Sequence, residues 1–241
     1  MNMNMPVSNA PIPSSGGSKS FFQVWIDALT KPNENTFVEI ASSPNAKAMT
    51  AYLWVFVGFL VEFFFRALVS GTVARSYLEK FGLGNQFSGG IVSTIIRVVC
   101  GAPIAAVIFT IFFAIGTAII LWIAKMFGGK GTNDQLAYAF AAFSVPLSFV
   151  RGVLALFVAI PYVGTCFGIL GILITLYALA LAIIATKGVN QFGWGQAAGS
   201  VLIPFAALLL VCCCVLGVGF FAMGATFKNL FQQLQQNGLG S

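Results

Sequence analysis

The chain has 241 residues, of which 59% are hydrophobic and only 7% charged, with a mean hydropathy of +0.94. Ordinary soluble domains carry roughly 25% charged residues, so this composition excludes a water-soluble globule, which could not cover its core. The net charge of +6 comes from basic residues standing singly at the ends of apolar runs, a pattern of membrane-boundary anchoring and topology setting rather than of nucleic-acid binding.

Residues 1–20, rich in Asn, Pro, Ser and Gly, read as a disordered leader. No basic stretch precedes a long apolar core near the start, so a cleaved secretory signal is not expected. Phe21 to Leu29 is too short to span and has aromatics at helical spacing. It is predicted to be an amphipathic helix lying in the membrane interface, ended by Lys31-Pro32, with a second short helix over Thr36 to Ala41.

A bilayer's hydrocarbon core takes about 20 apolar residues per helical crossing. No Asp, Glu, Lys or Arg occurs between Val98 and Ala124, between Arg151 and Lys187, or between Lys187 and Lys228. The predicted crossings are 48–70, 98–124, 135–160, 162–185 and 197–224. A polar, glycine-containing connection over Gly71 to Gly90 follows the first. Pro103 is expected to kink the second, and Lys125 to Asp134 forms a short loop. The stretch from Gln135 to Thr186 would make a single helix of roughly 78 Å at ~1.5 Å per residue, too long for one crossing, so it must fold back. Pro161-Tyr162-Val163-Gly164 supplies the break, because proline removes a backbone donor and glycine permits a turn. After the fifth crossing, Phe227, Leu230, Phe231 and Leu234 repeat at helical spacing and predict an amphipathic interfacial tail over 226–241. The fold class is therefore all-α: a polytopic bundle of five transmembrane helices, with short interfacial helices at both ends.

Five crossings place the termini on opposite sides. Lys19, Lys31, Lys47, Lys125, Lys130 and Lys187 fall on the N-terminal side, against Arg75, Lys80 and Lys228 on the other. The positive-inside rule then puts the N-terminus in the cytoplasm and the C-terminus outside.

Chemistry is sparsely represented. There is no histidine, which removes the commonest general base and metal ligand. Cys100, Cys166, Cys212, Cys213 and Cys214 sit in apolar context without metal-binding spacing, so no cofactor or metal is assigned. Gly128-Gly129-Lys130-Gly131-Thr132 superficially resembles a phosphate loop but has Ala at 124 and Gly after the lysine, against the required pattern; it is read as a flexible turn. Glu62, Arg66 and Arg151 are the charges placed at membrane depth, where charge is expensive and marks a structural pair or a functional path. Glu62 is expected to pair with Arg151 or Arg66. In the fourth crossing Gly164, Gly168, Gly171, Thr175, Ala178, Ala182 and Ala185 form a small-residue face of the kind that lets helices approach closely. Ala106, Thr110, Ala114 and Thr117 make a weaker one on the second.

Leu29-Thr30-Lys31-Pro32 followed by Thr36-Phe37, Ala137-Tyr138-Ala139-Phe140, Ser144-Val145-Pro146, Ile160-Pro161-Tyr162-Val163-Gly164, Ala197-Ala198 and Leu202-Ile203-Pro204 together resemble the Yip domain, the five-helix membrane domain of Ypt/Rab-interacting proteins, in its prokaryotic branch. The resemblance covers residues 21–225. It implies a cytoplasmic N-terminus, a prokaryotic plasma membrane location and a non-enzymatic role. Eukaryotic members act in vesicle trafficking and contact small GTPases. This chain lacks their Asp-Leu-Tyr-Gly-Pro type motif, which argues against GTPase binding. The expected function is a membrane scaffold, organiser or accessory subunit, with the lipid bilayer and other membrane proteins as partners. The alternative is a small transporter or channel with Glu62 and Arg151 lining its path.

Overall fold

The computed structural model describes residues 19–80, 91–158, 160 and 163–214. The predicted leader, apart from its last two residues, lies outside them. So do the end of the fifth crossing and the amphipathic tail over 226–241. Every regular element among the described residues is helical. Five helices among these residues are long and apolar enough to cross a membrane.

Two short helices come first. Helix α1 (Phe21–Thr30) starts at Ser20, whose side chain accepts from the Gln23 backbone while Gln23 reaches back, a capping box. It ends at Lys31, ahead of Pro32. Helix α2 (Glu34–Ala41) is capped by Asn33, whose Oδ1 accepts from Thr36 N at 2.8 Å. Helix α3 (Ala48–Lys80) continues about three turns beyond its apolar span of Ala48–Val69. The first ten residues of the predicted polar connection, 71–80, are therefore helix. Their lower hydropathy signals the end of lipid, and only a proline or a competing side-chain cap would have ended the helix there.

The second crossing is α4 (Ile91–Ile96), a π-helical turn over Arg97–Gly101 and α5 (Ala102–Met126) in continuous succession. Proline cannot donate and its ring clashes with the carbonyl four residues back, here that of Val99. The wide turn directly ahead of Pro103 absorbs both consequences. Helix α6 (Asn133–Val158) carries Pro146 internally, and α7 (Val163–Asn190) folds back against it. Phe157 stacks on Phe167 across the reversal, with ring centroids 4.9 Å apart. Pro161 and Tyr162, within the predicted bend, lie outside the described residues. Helix α8 spans Trp194–Cys214.

α6 is the centre of the bundle. Residues Leu136 to Phe143 are all buried, so the Ala-Tyr-Ala-Phe segment is core. α3 packs along one side of α6 and α7 along another, while α5 lies against α3. One face of this α3–α6–α7 layer is covered by the two short helices. Along α1, Phe21 meets Trp54 of α3, Trp25 meets Phe149 of α6, and the Leu29 carbonyl accepts from Tyr177 Oη of α7 at 2.6 Å. α1 thus crosses the layer rather than running beside one helix. α2 buries Phe37 against Phe143, and a Cβ on Gly188 of α7 would lie 2.9 Å from the Glu34 carbonyl oxygen.

The end of the bundle holding α2 is locked. Glu34 pairs with Lys187, whose ammonium also sits 4.5 Å from the Trp194 ring centroid. Fully buried Asn190 donates to Thr186 O at 2.9 Å and accepts from Gly131 N at 3.3 Å. Gln196 donates to the Phe127 carbonyl at 3.2 Å. The Gly128–Thr132 segment, read from sequence as a flexible turn, is therefore latched to the α7–α8 junction. Its glycines serve close approach, since a Cβ on Gly129 would lie 2.6 Å from Asn190 Oδ1.

Candidate functional site

Glu62 lies on α3, fourteen residues after Ala48, and is 5% exposed. Arg66, one turn on, folds back to it: Nη2 and Nε donate to Glu62 Oε1 at 2.9 and 3.1 Å. Helical side chains lean towards the N-terminus, so an i,i+4 pair with the arginine second meets without strain. Arg151 approaches from α6, its Nε 3.7 Å from Glu62 Oε2, while its Nη2 donates to Ser148 Oγ at 3.4 Å. Oε2 of Glu62 and Nε of Arg151 make no hydrogen bond. The parallel α3 and α6 thus bring together the three charges singled out from sequence, with Glu62 between two guanidinium groups.

What allows this is glycine at the helix contact. A Cβ on Gly152, next to Arg151, would lie 3.1 Å from Glu62 Cα and from Phe65 Cδ2. Higher up the same contact, a Cβ on Gly58 would meet Val145 at 3.4 Å. In lipid, close backbone approach of this kind holds helices together. Sequence reasoning missed Gly58 and Gly152 because each is a lone glycine in its apolar span. The signal was a glycine directly beside an intramembrane arginine.

The small-residue face of α7 divides along its length. Gly164 is buried, and a Cβ there would collide with the Val158 carbonyl. Gly168 and Gly171 have nothing within 4 Å of a Cβ position. Thr175 Oγ1 donates to the Gly171 carbonyl at 2.9 Å and is exposed. Ala178 is partly buried, and Ala182 and Ala185 are in the core. At the locked end and at Gly164 the face is packed; between them, over Gly168, Gly171 and Thr175, it stands open. There it forms one wall of a furrow of about 630 Å³, with Val69 and Arg66 of α3 on the far wall and Arg151, Ala155 and Val158 of α6 along its floor. Tyr177, which meets α1, points the opposite way from Gly168 and Thr175, about half a helical turn apart. The furrow and α1 therefore lie on opposite faces of the layer.

On the α2 side, Asp27 receives hydrogen bonds from Lys19 at 2.9 Å and Lys31 at 3.0 Å, and Lys19 also pairs with Glu39 at 2.9 Å. The Lys19 and Lys31 contacts hold the Asp27 carboxyl below its ordinary value, and Asp27 and Glu39 raise the Lys19 ammonium. Through Lys19, which bridges Asp27 and Glu39, this network clasps α1 to α2.

Among the described residues no group of three or more His, Cys, Asp or Glu is placed to hold a metal ion. The Yip1 domain model matches residues 26–216, an interval running from inside α1 to two residues past Cys214 of α8 and covering most of the chain. The chain belongs to the Yip1 domain family. No match was found among curated proteins or among solved structures. The matched interval takes in the second half of α1, all of α2 and the five candidate spans. The match makes the protein an integral membrane protein of the Yip type.

Proposed function

We propose that this Yip1-domain protein is a non-enzymatic scaffold or accessory subunit of a prokaryotic plasma membrane, with its N-terminus in the cytoplasm and its C-terminus outside. The observation that supports this over a transporter is the burial of Glu62 in the α3–α6 contact. Gly152 brings the backbone of α6 against Glu62 Cα, and both arginines turn their guanidinium groups on the same carboxylate. A transport site needs polar groups around an aqueous cavity near the midplane, formed where helices break. Here the carboxylate is enclosed by two guanidinium groups between continuous helices. The Lys-rich locked end and the α1–α2 layer fit a cytoplasmic face, and the exposed apolar surfaces of α5 and α8 are what membrane neighbours would meet.

The test is purification of the native protein in mild detergent, paired with solute flux in proteoliposomes. One stoichiometric membrane neighbour and no flux above empty vesicles are expected. A lone monomer that carries solute, with flux abolished by Glu62→Gln, refutes the scaffold reading. An N-terminal tag reached by an impermeant label in intact cells overturns the orientation.

A further inference from the structure

Among the described residues, the furrow between α3 and α7 carries a positive charge with no matching anion. Two guanidinium groups, Arg66 and Arg151, line it, and they share the single carboxylate of Glu62. Arg66 is half exposed, with its side chain at 51%, and Arg151 Nε is without a hydrogen bond. One net positive charge at membrane depth is costly unless an anion matches it. An arginine fork is matched in geometry to a phosphate.

Position and shape narrow the anion. At ~1.5 Å per residue, Arg66 lies roughly 5 Å inside the Val69 end of its span and Arg151 roughly 10 Å inside Val158. Thr175 lies roughly 18 Å below Val163 by the same rise. The furrow therefore runs from one membrane surface to about the middle of a ~30 Å hydrocarbon core, the depth of a single leaflet. Its volume of about 630 Å³ falls within the ~300–1,000 Å³ of ordinary ligand pockets. Gly168 and Gly171 leave its α7 wall unfilled, and the rest of the lining is mainly aliphatic. A free inorganic anion has no reason to enter so apolar a cleft. A neutral lipid leaves the charge unmatched.

We propose that the furrow binds an anionic phospholipid, its phosphate held by Arg66 and Arg151 and one acyl chain lying along Gly168, Gly171 and Thr175. Glu62 sets the strength of the site by cancelling one of the two positive charges. The site stands on furrow geometry and charge, and it is independent of the scaffold reading. A protein that transports solute yet keeps this lipid preference overturns that reading alone.

The full-length protein is placed in nanodiscs of phosphatidylcholine with or without phosphatidylglycerol. Lipids retained on release are counted by native mass spectrometry. Phosphatidylglycerol is expected to be retained in preference to phosphatidylcholine. Loss of one charge-assisted contact weakens that preference about tenfold or more, in Arg66→Gln and Arg151→Gln alike. Gly171→Leu, whose side chain enters the furrow, lowers retention of both lipids. Should Arg151→Gln fail to fold, Arg66→Gln carries the test, since its side chain is half exposed. Equal retention of the two lipids overturns the proposal, as does a preference unchanged by the arginine substitution, or one abolished by added inorganic phosphate. A disulfide-linked dimer formed through Gly171→Cys, showing a second copy in the furrow, overturns it as well.

Discussion

Glycine at position 152 and glycine at position 168 look alike in the sequence, each within an apolar helix, and the structure separates them sharply. A methyl group on Gly152 would sit 3.1 Å from Glu62 Cα and 3.1 Å from Phe65 Cδ2, against about 3.5–4.0 Å at optimal carbon separation. One neighbour is backbone, so α3 and α6 must part by roughly half an ångström along their contact. Overpacking of this kind costs ~1–3 kcal/mol, offset by at most ~1 kcal/mol of better helix propensity. Gly152→Ala is therefore expected to destabilise by about 1–2 kcal/mol, and Gly152→Leu by more. At Gly168 a Cβ meets nothing within 4 Å, so Gly168→Ala is expected to be neutral or to stabilise by up to ~1 kcal/mol. The assay is reversible unfolding by sodium dodecyl sulfate in detergent without added lipid, followed by circular dichroism. Equal losses for Gly152→Ala and Gly168→Ala would show that the tight interface runs along α7, and the α3–α6 account would fail.

Three further outcomes follow from particular contacts. Glu62→Gln leaves two guanidinium groups facing each other and is expected to cost about 2–3 kcal/mol, below the 3–5 of a fully buried pair because Arg66 can turn to the surface; adding Arg151→Met should recover most of this in the same titration, and no recovery would mean the two do not interact. Asn190→Ala strands the buried Gly131 N–H at a cost of about 1–3 kcal/mol, and hydrogen exchange should quicken at residues 129–132; unchanged exchange there would mean Asn190 does not hold the turn. The clasp on α1 should depend on pH at both extremes. Asp27 is held below its ordinary value of 3.8, so its contribution is present above that value and is lost as pH falls through the lower folded one. Lys19 is raised above 10.5, so its contribution is full below that value and is lost as pH rises through the higher folded one. Fluorescence of Trp25, packed between Trp54 and Phe149, should report α1 loosening below about pH 4, and Asp27→Asn should remove that acid transition; its persistence would place the transition elsewhere.

Much of the architecture was legible because membrane insertion is decided locally. A crossing needs only a run of apolar residues of sufficient length, and each run states this by itself. The same holds for α1, marked by aromatics at helical spacing and by Lys31-Pro32, while the start of α2 at Glu34, two residues before the expected Thr36, is set by the Asn33 cap. The continuation of α3 through Lys80 was not legible, since loss of hydropathy ends a span without ending a helix. The π turn before Pro103 was visible only as an expected kink.

Composition and patterning alone determined an all-helical membrane protein, its five spans and the three charges at depth. Tertiary structure decided which glycines carry the packing, that the Gly128–Thr132 segment is pinned by Asn190, that α1 lies across three spans, and that one end of the bundle is locked while the other opens on a furrow. The physical reason is that small-residue periodicity describes a helix face without naming what stands opposite. Whether Gly168 touches a helix or an empty cleft depends on how far α3 stands from α7, and that distance is set by side chains more than a hundred residues away in the chain.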